Sequence, residues 1–240
     1  MPAKVTAAPT GYEEGLRWAH GVEWLVHPEE TMERASTALA TDEGVYLVDP
    51  LDAPGVDDLL AEFGEVAGVV LLSNHHTRDA GLFARRHDVP VYVGGGVPDE
   101  ELPDLTVPIE RVGAGERLGD YEFVEVATGT ALGAPWYEYA LWNGETLRVS
   151  ECVGTAEYMR VGDEPLGVMT MRRRHPPTAL RGLEPERICS GHGRGLDENA
   201  AAALEAAIAN AEDDFAKALL TNGLDQARTV LAALRSDLRD

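Results

Sequence analysis

Apolar residues along the chain fall into short blocks whose spacing alternates between the two-residue period of strands and the 3.6-residue period of helices. Val22 to His27 and Ala35 to Ala40 read as short strands, and Gly44 to Pro50 reads as a strand ended by its proline. Val56, Leu59, Leu60 and Phe63 then recur at i, i+3, i+4 and i+7, an amphipathic helix that begins near Pro54 and is stopped by Gly64. Val69 to Leu72 is an unbroken apolar run, the pattern of a strand covered on both faces, and it passes directly into Ser73-Asn74-His75-His76-Thr77-Arg78-Asp79. A helix over about Asp79 to Arg86 and a strand over Pro90 to Val93 follow. Strand, helix, strand, helix, strand is the order of a layered α/β fold.

The middle of the chain is richer in strands. Val107 to Val112, Tyr121 to Ala127, Tyr137 to Trp142 and Thr146 to Ser150 fit that pattern, with Asn143-Gly144 as a hairpin turn. From Asp197, a cap residue, the chain turns helical, with Leu204, Ile208, Ala211 and Phe215 on one face. A last helix over Leu224 to Leu238 carries Ala227, Val230, Leu231 and Leu234. With no repeat and no linker-like stretch, the expectation is one domain over residues 1–240, its core at about 20–212 and a C-terminal helical extension at 213–240.

Charge narrows the partners. The 240 residues carry 42 Asp and Glu against 20 Lys and Arg, a formal charge of −22, so a nucleic-acid partner is excluded by repulsion. At 44% hydrophobic the chain still has ample material for a core. Lys4 and Lys217 are its only lysines, the other basic residues being arginines. Excess acid with scarce lysine and much alanine points to a halophilic protein, in which salt screens self-repulsion; a GC-rich genome alone favours Arg and Ala but does not produce this charge. The two cysteines, Cys152 and Cys189, suit a reducing compartment. The opening Met1-Pro2-Ala3-Lys4-Val5-Thr6 lacks the apolar centre of a leader, and no apolar run is long enough to span a bilayer. A cytoplasmic protein with no membrane partner is expected.

Candidate chemistry gathers at three places. The loop after the apolar strand brings His75, His76 and Asp79 within five residues, at the carboxyl end of a strand where α/β proteins place ligands. Cys189-Ser190-Gly191-His192-Gly193 flanks an imidazole with glycines that permit a sharp loop. Val149-Ser150-Glu151-Cys152 puts a carboxylate at a strand end. His75 and His76 also fit an exposed loop pair, and both cysteines fit small buried residues. Trp18, His20, Trp24 and His27 could rim a pocket, though alternation on a strand explains them equally. The basic run Met171-Arg172-Arg173-Arg174-His175 fits an anionic substrate, a partner's acidic surface or the protein's own carboxylates, and the last is the expectation.

The strand ending in Val48-Asp49-Pro50, the apolar strand with its His-containing loop, the β-rich middle, the strand-end acid and Gly-His-Gly together resemble the metallo-β-lactamase fold over about Val22 to Asn210. The resemblance implies a four-layer αβ/βα sandwich with a binuclear metal site used for hydrolysis. The family's loop reads His-x-His-x-Asp-His, followed by a small residue and glycine. Aligned on His76 and Gly81, Asn74 replaces the first histidine, Arg78 the aspartate and Asp79 the last histidine. The family's middle histidine, expected around Thr128 to Gly133, is missing, and the bridging aspartate appears as Glu151.

Two outcomes follow from this depleted set. In one, His76, Asp79, Glu151 and His192, with His75 or Cys152 as substitute, hold a single divalent metal (Zn, Fe or Mn). That metal, with Asp79 or Glu151 as base and Asn74 polarising a carbonyl, would hydrolyse a small ester, lactone or thioester. In the other, no metal binds, Arg78 points inward as a fixed cation paired with Asp79 or Glu151, and the protein binds a small ligand or partner without catalysis. Oligomeric state is left open.

Overall fold

The computed structural model describes residues 2–131 and 134–222; the helix predicted over Leu224 to Leu238 lies outside the described residues. Two sheets face each other. The first takes β1 (Glu13–Trp18), β2 (Gly21–Leu25), β3 (Ala35–Thr41), β4 (Gly44–Val48), β5 (Val66–Leu71), β6 (Val91–Gly94) and β7 (Ile109–Val112) in chain order. Its first four strands run antiparallel, and β4 to β7 run parallel. Two of the three parallel crossovers are helical, α1 (Val56–Ala61) between β4 and β5 and α2 (Ala80–His87) between β5 and β6, and the third, from β6 to β7, runs through a single 3-10 turn at Asp99–Glu101. The second sheet uses β8 (Arg117–Leu118), β9 (Tyr121–Ala131), β10 (Ala134–Trp142), β11 (Thr146–Val149) and β14 (Arg187–Cys189), in the order β14-β11-β10-β9-β8. Between β11 and β14, β12 (Val153–Gly154) and β13 (Gly167–Val168) form a small ribbon. The helices α3 (Ala200–Asn210) and α4 (Phe215–Thr221) close the described chain.

Alternation along the strands builds four layers. On β4 and β5, Val45, Leu47, Val69 and Leu71 pack under α1 and α2 with Leu59 and Phe83. Tyr46, Val48, Val70 and Leu72, the opposite phase, meet Phe123, Tyr139 and Leu141 between the sheets. Ala140, Leu147 and Val149 turn outward onto Leu204 and Ile208 of α3. The result is helices, sheet, sheet, helix: the four-layer α/β sandwich the sequence resemblance implies.

Several local expectations change. The strand β1 was not expected; its residues are half-buried or exposed, so it lacks an apolar phase. Strands β9 and β10 are longer at the hairpin end than their apolar runs. Asn199, not Asp197, stands at the N-cap of α3, and turns at residues 211–214 separate that helix from Phe215, which opens α4. Trp24 is no pocket-rim residue: it is fully buried and its indole N–H donates to Leu51 O at 2.8 Å. Among the described residues no helix is long and apolar enough to cross a membrane.

Candidate functional site

The carboxyl ends of β4, β5, β11 and β14 meet at one edge of the sandwich, and each is followed by a polar residue. Asp49 follows β4, Ser73 to Arg78 follow β5, Ser150 and Glu151 follow β11, and Ser190 to His192 follow β14. This brings His76, Glu151 and His192 together. His76 Nε2 lies 3.2 Å from Glu151 Oε1 and 3.2 Å from His192 Nε2. All three residues are buried. The glycine before His192 is required by contact: a Cβ on Gly191 would press on Ser150 O and come within 2.6 Å of His76 Cε1.

Asp49 organises the cluster from below. Its Oδ2 accepts from Ser150 Oγ at 2.5 Å and from Arg148 Nη2 at 3.2 Å and faces His76 Nδ1 at 3.0 Å, while Oδ1 accepts from Leu72 N at 3.3 Å. Burial alone would raise this carboxyl, but His76, Arg148 and Arg78 override it and hold Asp49 well below the usual carboxylate range. Asp49 is therefore ionised, and His76 donates to it from Nδ1. His192 Nδ1 lies 2.8 Å from Met32 O, an acceptor only, so it too is the protonated nitrogen. Burial pushes His76 down to about 4, with the Arg78 charge reinforcing it, and drives His192 well below its ordinary value. Both rings are neutral near pH 7, and their two bare Nε2 atoms face each other.

Burial, together with the Glu138 and Asp49 charges, raises the Glu151 carboxyl to about 8, against the pull of Ser73 and Arg78. Near neutrality Glu151 thus keeps its proton, which it donates to His76 Nε2. Glu138, absent from the sequence expectations, holds the end of β11 in place: its Oε1 accepts from Glu151 N and Cys152 N, each at 2.7 Å.

Arg78 points inward, in the left-handed conformation at φ 44°. It pairs with neither Asp79 nor Glu151 as expected. Its Nη1 donates to Ala35 O at 2.6 Å and Asp49 O at 2.8 Å, and its Nη2 donates to Gly191 O at 2.8 Å. Burial draws its pKa down to about 10, so it remains charged at neutral pH.

Other expected site residues lie elsewhere. Asp79 turns away; its Oδ2 accepts from Asp52 N at 2.8 Å beside a groove of about 730 Å³ near α1 and α2. Asn74 is committed at both ends of its amide: Oδ1 accepts from Tyr137 N at 3.0 Å, and Nδ2 donates to Glu101 Oε2 at 3.1 Å. It has no lone donor aimed at the cluster for an oxyanion. His75 is exposed and packs edge-on against Trp136, 5.0 Å between centroids. Cys152 and Cys189 are buried thiols pushed well above their ordinary value by burial, which makes them inert. Trp18 and His20 line a cavity of about 410 Å³ beside Thr146 and Arg187, at the opposite ends of the parallel strands.

A metal pair of the kind the fold implies does not fit these residues. Among the described residues no group of three His, Cys, Asp or Glu side chains is arranged to hold a metal ion. Asp79 is turned away, and a permanent cation stands where the family motif has an aspartate.

The chain has the metallo-β-lactamase fold. Its backbone superimposes on that of DIM-1 metallo-β-lactamase with a TM-score of 0.59 at 13% identity, covering 86% of this chain and 99% of that one. The TMB-1 enzyme gives 0.57 at 14% identity over 85% of this chain and 98% of that one. A metallo-β-lactamase from Pontibacter korlensis gives 0.55 at 12% identity over 83% and 99%. No protein-family model and no curated protein sequence matches the chain. The likeness is therefore one of fold, and function has to be argued from the site.

Proposed function

We propose that this is a metallo-β-lactamase-fold protein without a working metal centre, which binds a small ligand or partner and in which Arg78 supplies the positive charge a metal would bring. The observation that carries this reading is the grip of the Arg78 guanidinium on Ala35 O, Asp49 O and Gly191 O. Those carbonyls come from β3, the end of β4 and the loop after β14, so one side chain ties together both sheets at the site. Its charge also bears on His76, Glu151 and His192, the groups a metal would need. A divalent cation would have to enter beside it at a Coulomb cost that low local dielectric magnifies. The cluster already has an internal solution: neutral Glu151 supplies a proton to His76, and Asp49 is balanced by Arg148.

A second reading is favoured by one feature. The separations of 3.2 Å from His76 Nε2 to His192 Nε2 and to Glu151 Oε1 come near the edge of a tetrahedron built on zinc–nitrogen bonds, about 3.3 Å. Both rings are also anchored through Nδ1, as metal-bound histidines are. On that reading the protein is a mononuclear hydrolase of a small ester, lactone or thioester.

Metal analysis of protein purified in molar KCl separates the two, paired with a panel of ester, lactone and thioester substrates with and without added Zn, Fe or Mn. Substoichiometric metal and no turnover above buffer are expected. Stoichiometric metal that disappears in His192→Ala, together with metal-dependent turnover, overturns the metal-free reading.

A further inference from the structure

The basic run at 171–175 splits by environment. Arg173 is fully buried and donates to both Glu164 oxygens, at 2.9 and 2.7 Å, as the sequence expectation had it. Arg174 is exposed, and its guanidinium lies over the Phe215 ring at 5.4 Å. Arg172 combines features of the two. It is half-buried, its guanidinium lies over the Trp136 ring at 6.0 Å, its Nε, like that of Arg173, is buried without a hydrogen-bond partner, and unlike Arg173 it has no carboxylate pair among the described residues. A half-buried arginine with neither the acid of Arg173 nor the open exposure to water of Arg174 is short of partners for its charge.

The nearby acid has been taken. Glu138, beneath the same tryptophan, accepts from Trp136 Nε1 at 3.2 Å through Oε2 and from Glu151 N and Cys152 N through Oε1. Every hydrogen bond it makes goes to a donor other than Arg172. His75 meets the same Trp136 ring edge-on. Trp136 opens β10, and Asn74 ties this end of the strand to the histidine loop through Tyr137 N and Pro135 O. Arg172, Trp136 and His75 therefore stand beside the His76, Glu151 and His192 cluster.

We propose that Arg172, held over the buried Trp136 ring and beside the exposed His75, is a binding site for an oxyanion, the carboxylate or phosphate group of a small ligand. A guanidinium presents paired donors that match an oxyanion's geometry, and its placement over an indole fixes the fork in advance. The site is distinct from the Arg78 grip and stands whether the neighbouring cluster holds a proton or a metal, so metal analysis and anion binding can fail separately.

The test is titration of the full-length protein in 2 M KCl with inorganic phosphate and, separately, with benzoate, read by tryptophan fluorescence, with Trp136→Phe identifying the reporter. A saturable change with either probe is expected; phosphate alone marks a phosphoryl ligand and benzoate alone a carboxylate. Arg172→Gln should weaken it by about tenfold or more, the scale of a charge-assisted pair, while Arg174→Gln leaves it unchanged. Arg172→Lys, which keeps charge but not the fork, should fall between and guards against a folding defect in the Gln variant. Absence of a saturable change with both probes, or equal weakening in the Arg172 and Arg174 variants, overturns the proposal.

Discussion

Replacing Arg78 with methionine keeps most of the apolar stem and removes the guanidinium. The left-handed backbone at Arg78, φ 44°, burdens either side chain alike, so it drops out of the comparison. What changes is the fate of three carbonyls on buried residues, Ala35, Asp49 and Gly191, which lose donors at 2.6, 2.8 and 2.8 Å, although Asp49 O keeps Ser36 Oγ at 3.0 Å and Gly191 O keeps Ala35 N at 3.0 Å. A buried acceptor stranded without a partner costs about 1–3 kcal/mol. That penalty falls on Ala35 O, to which the two lost charge-assisted bonds add; Arg78 is only half-buried, so water recovers part, and the loss should be roughly 2–4 kcal/mol. For a domain of this size each kcal/mol lowers the midpoint by about 2–4 °C, so thermal unfolding followed by circular dichroism in 2 M KCl should move down by about 5–12 °C. Arg78→Lys should recover less than half of that, since one ammonium cannot serve three divergent carbonyls. A midpoint for Arg78→Met within about 2 °C of wild type refutes the reasoning. So does a wild-type midpoint that falls on exhaustive chelation, because a metal and not Arg78 would then be holding the segments.

Two other outcomes follow. Glu151, raised to about 8 by burial and its acidic neighbours, holds in the folded state a proton that the unfolded chain releases near its ordinary value. Its stabilising contribution is thus complete below that ordinary value and is lost as pH rises through about 8. Glu23, raised to about 7 by burial, has the same sign, whereas His76, lowered to about 4, gains stability as pH rises toward neutrality. Above pH 7 the histidine contribution is flat, so Glu151→Gln should reduce the decline in unfolding free energy between pH 7 and 9; an unchanged slope excludes a proton on Glu151. Separately, a surface carrying −22 should make the unfolding midpoint rise from dilute buffer to molar KCl, and a salt-independent midpoint removes the halophilic reading.

The layers were legible because their cause is local. Val45 and Leu47 face one side of β4 and Tyr46 and Val48 the other, and an apolar residue in both phases announces a strand covered twice. The edge strand β1 has no such phase and could not be read. The cluster of His76, Glu151 and His192 was also legible, since each lies just after an apolar strand. Asp79 was not, because spacing assumes an ordinary backbone. At Arg78 the chain takes a left-handed turn; Arg78 goes in, while the Asp79 carboxylate goes to Asp52 N. The residues beneath the cluster did leave a signal. In Thr146-Leu147-Arg148-Val149-Ser150, the apolar phase faces α3, and the other phase is polar throughout although it lies in the interior. A buried polar phase must be paired within the protein, and Asp49 is the partner that Arg148 and Ser150 find.

That pairing changes what the site can be. Asp49 and Arg148 cancel, Glu151 keeps its proton and both histidines are neutral, which leaves Arg78 set against the buried Glu138 carboxylate that accepts from Glu151 N. A cluster near neutrality has no electrostatic call for a dication. The unpaired Arg172 beside it makes the local balance positive, so this face selects for an anion in a protein whose overall charge repels it. Binding of such a ligand should therefore tighten, not weaken, when salt screens the distant carboxylates before it screens the short contacts at Arg172. A phosphate or benzoate affinity that fell steadily from dilute buffer to the highest salt at which the fold is intact would show that the long-range field, not the local pair, governs this face.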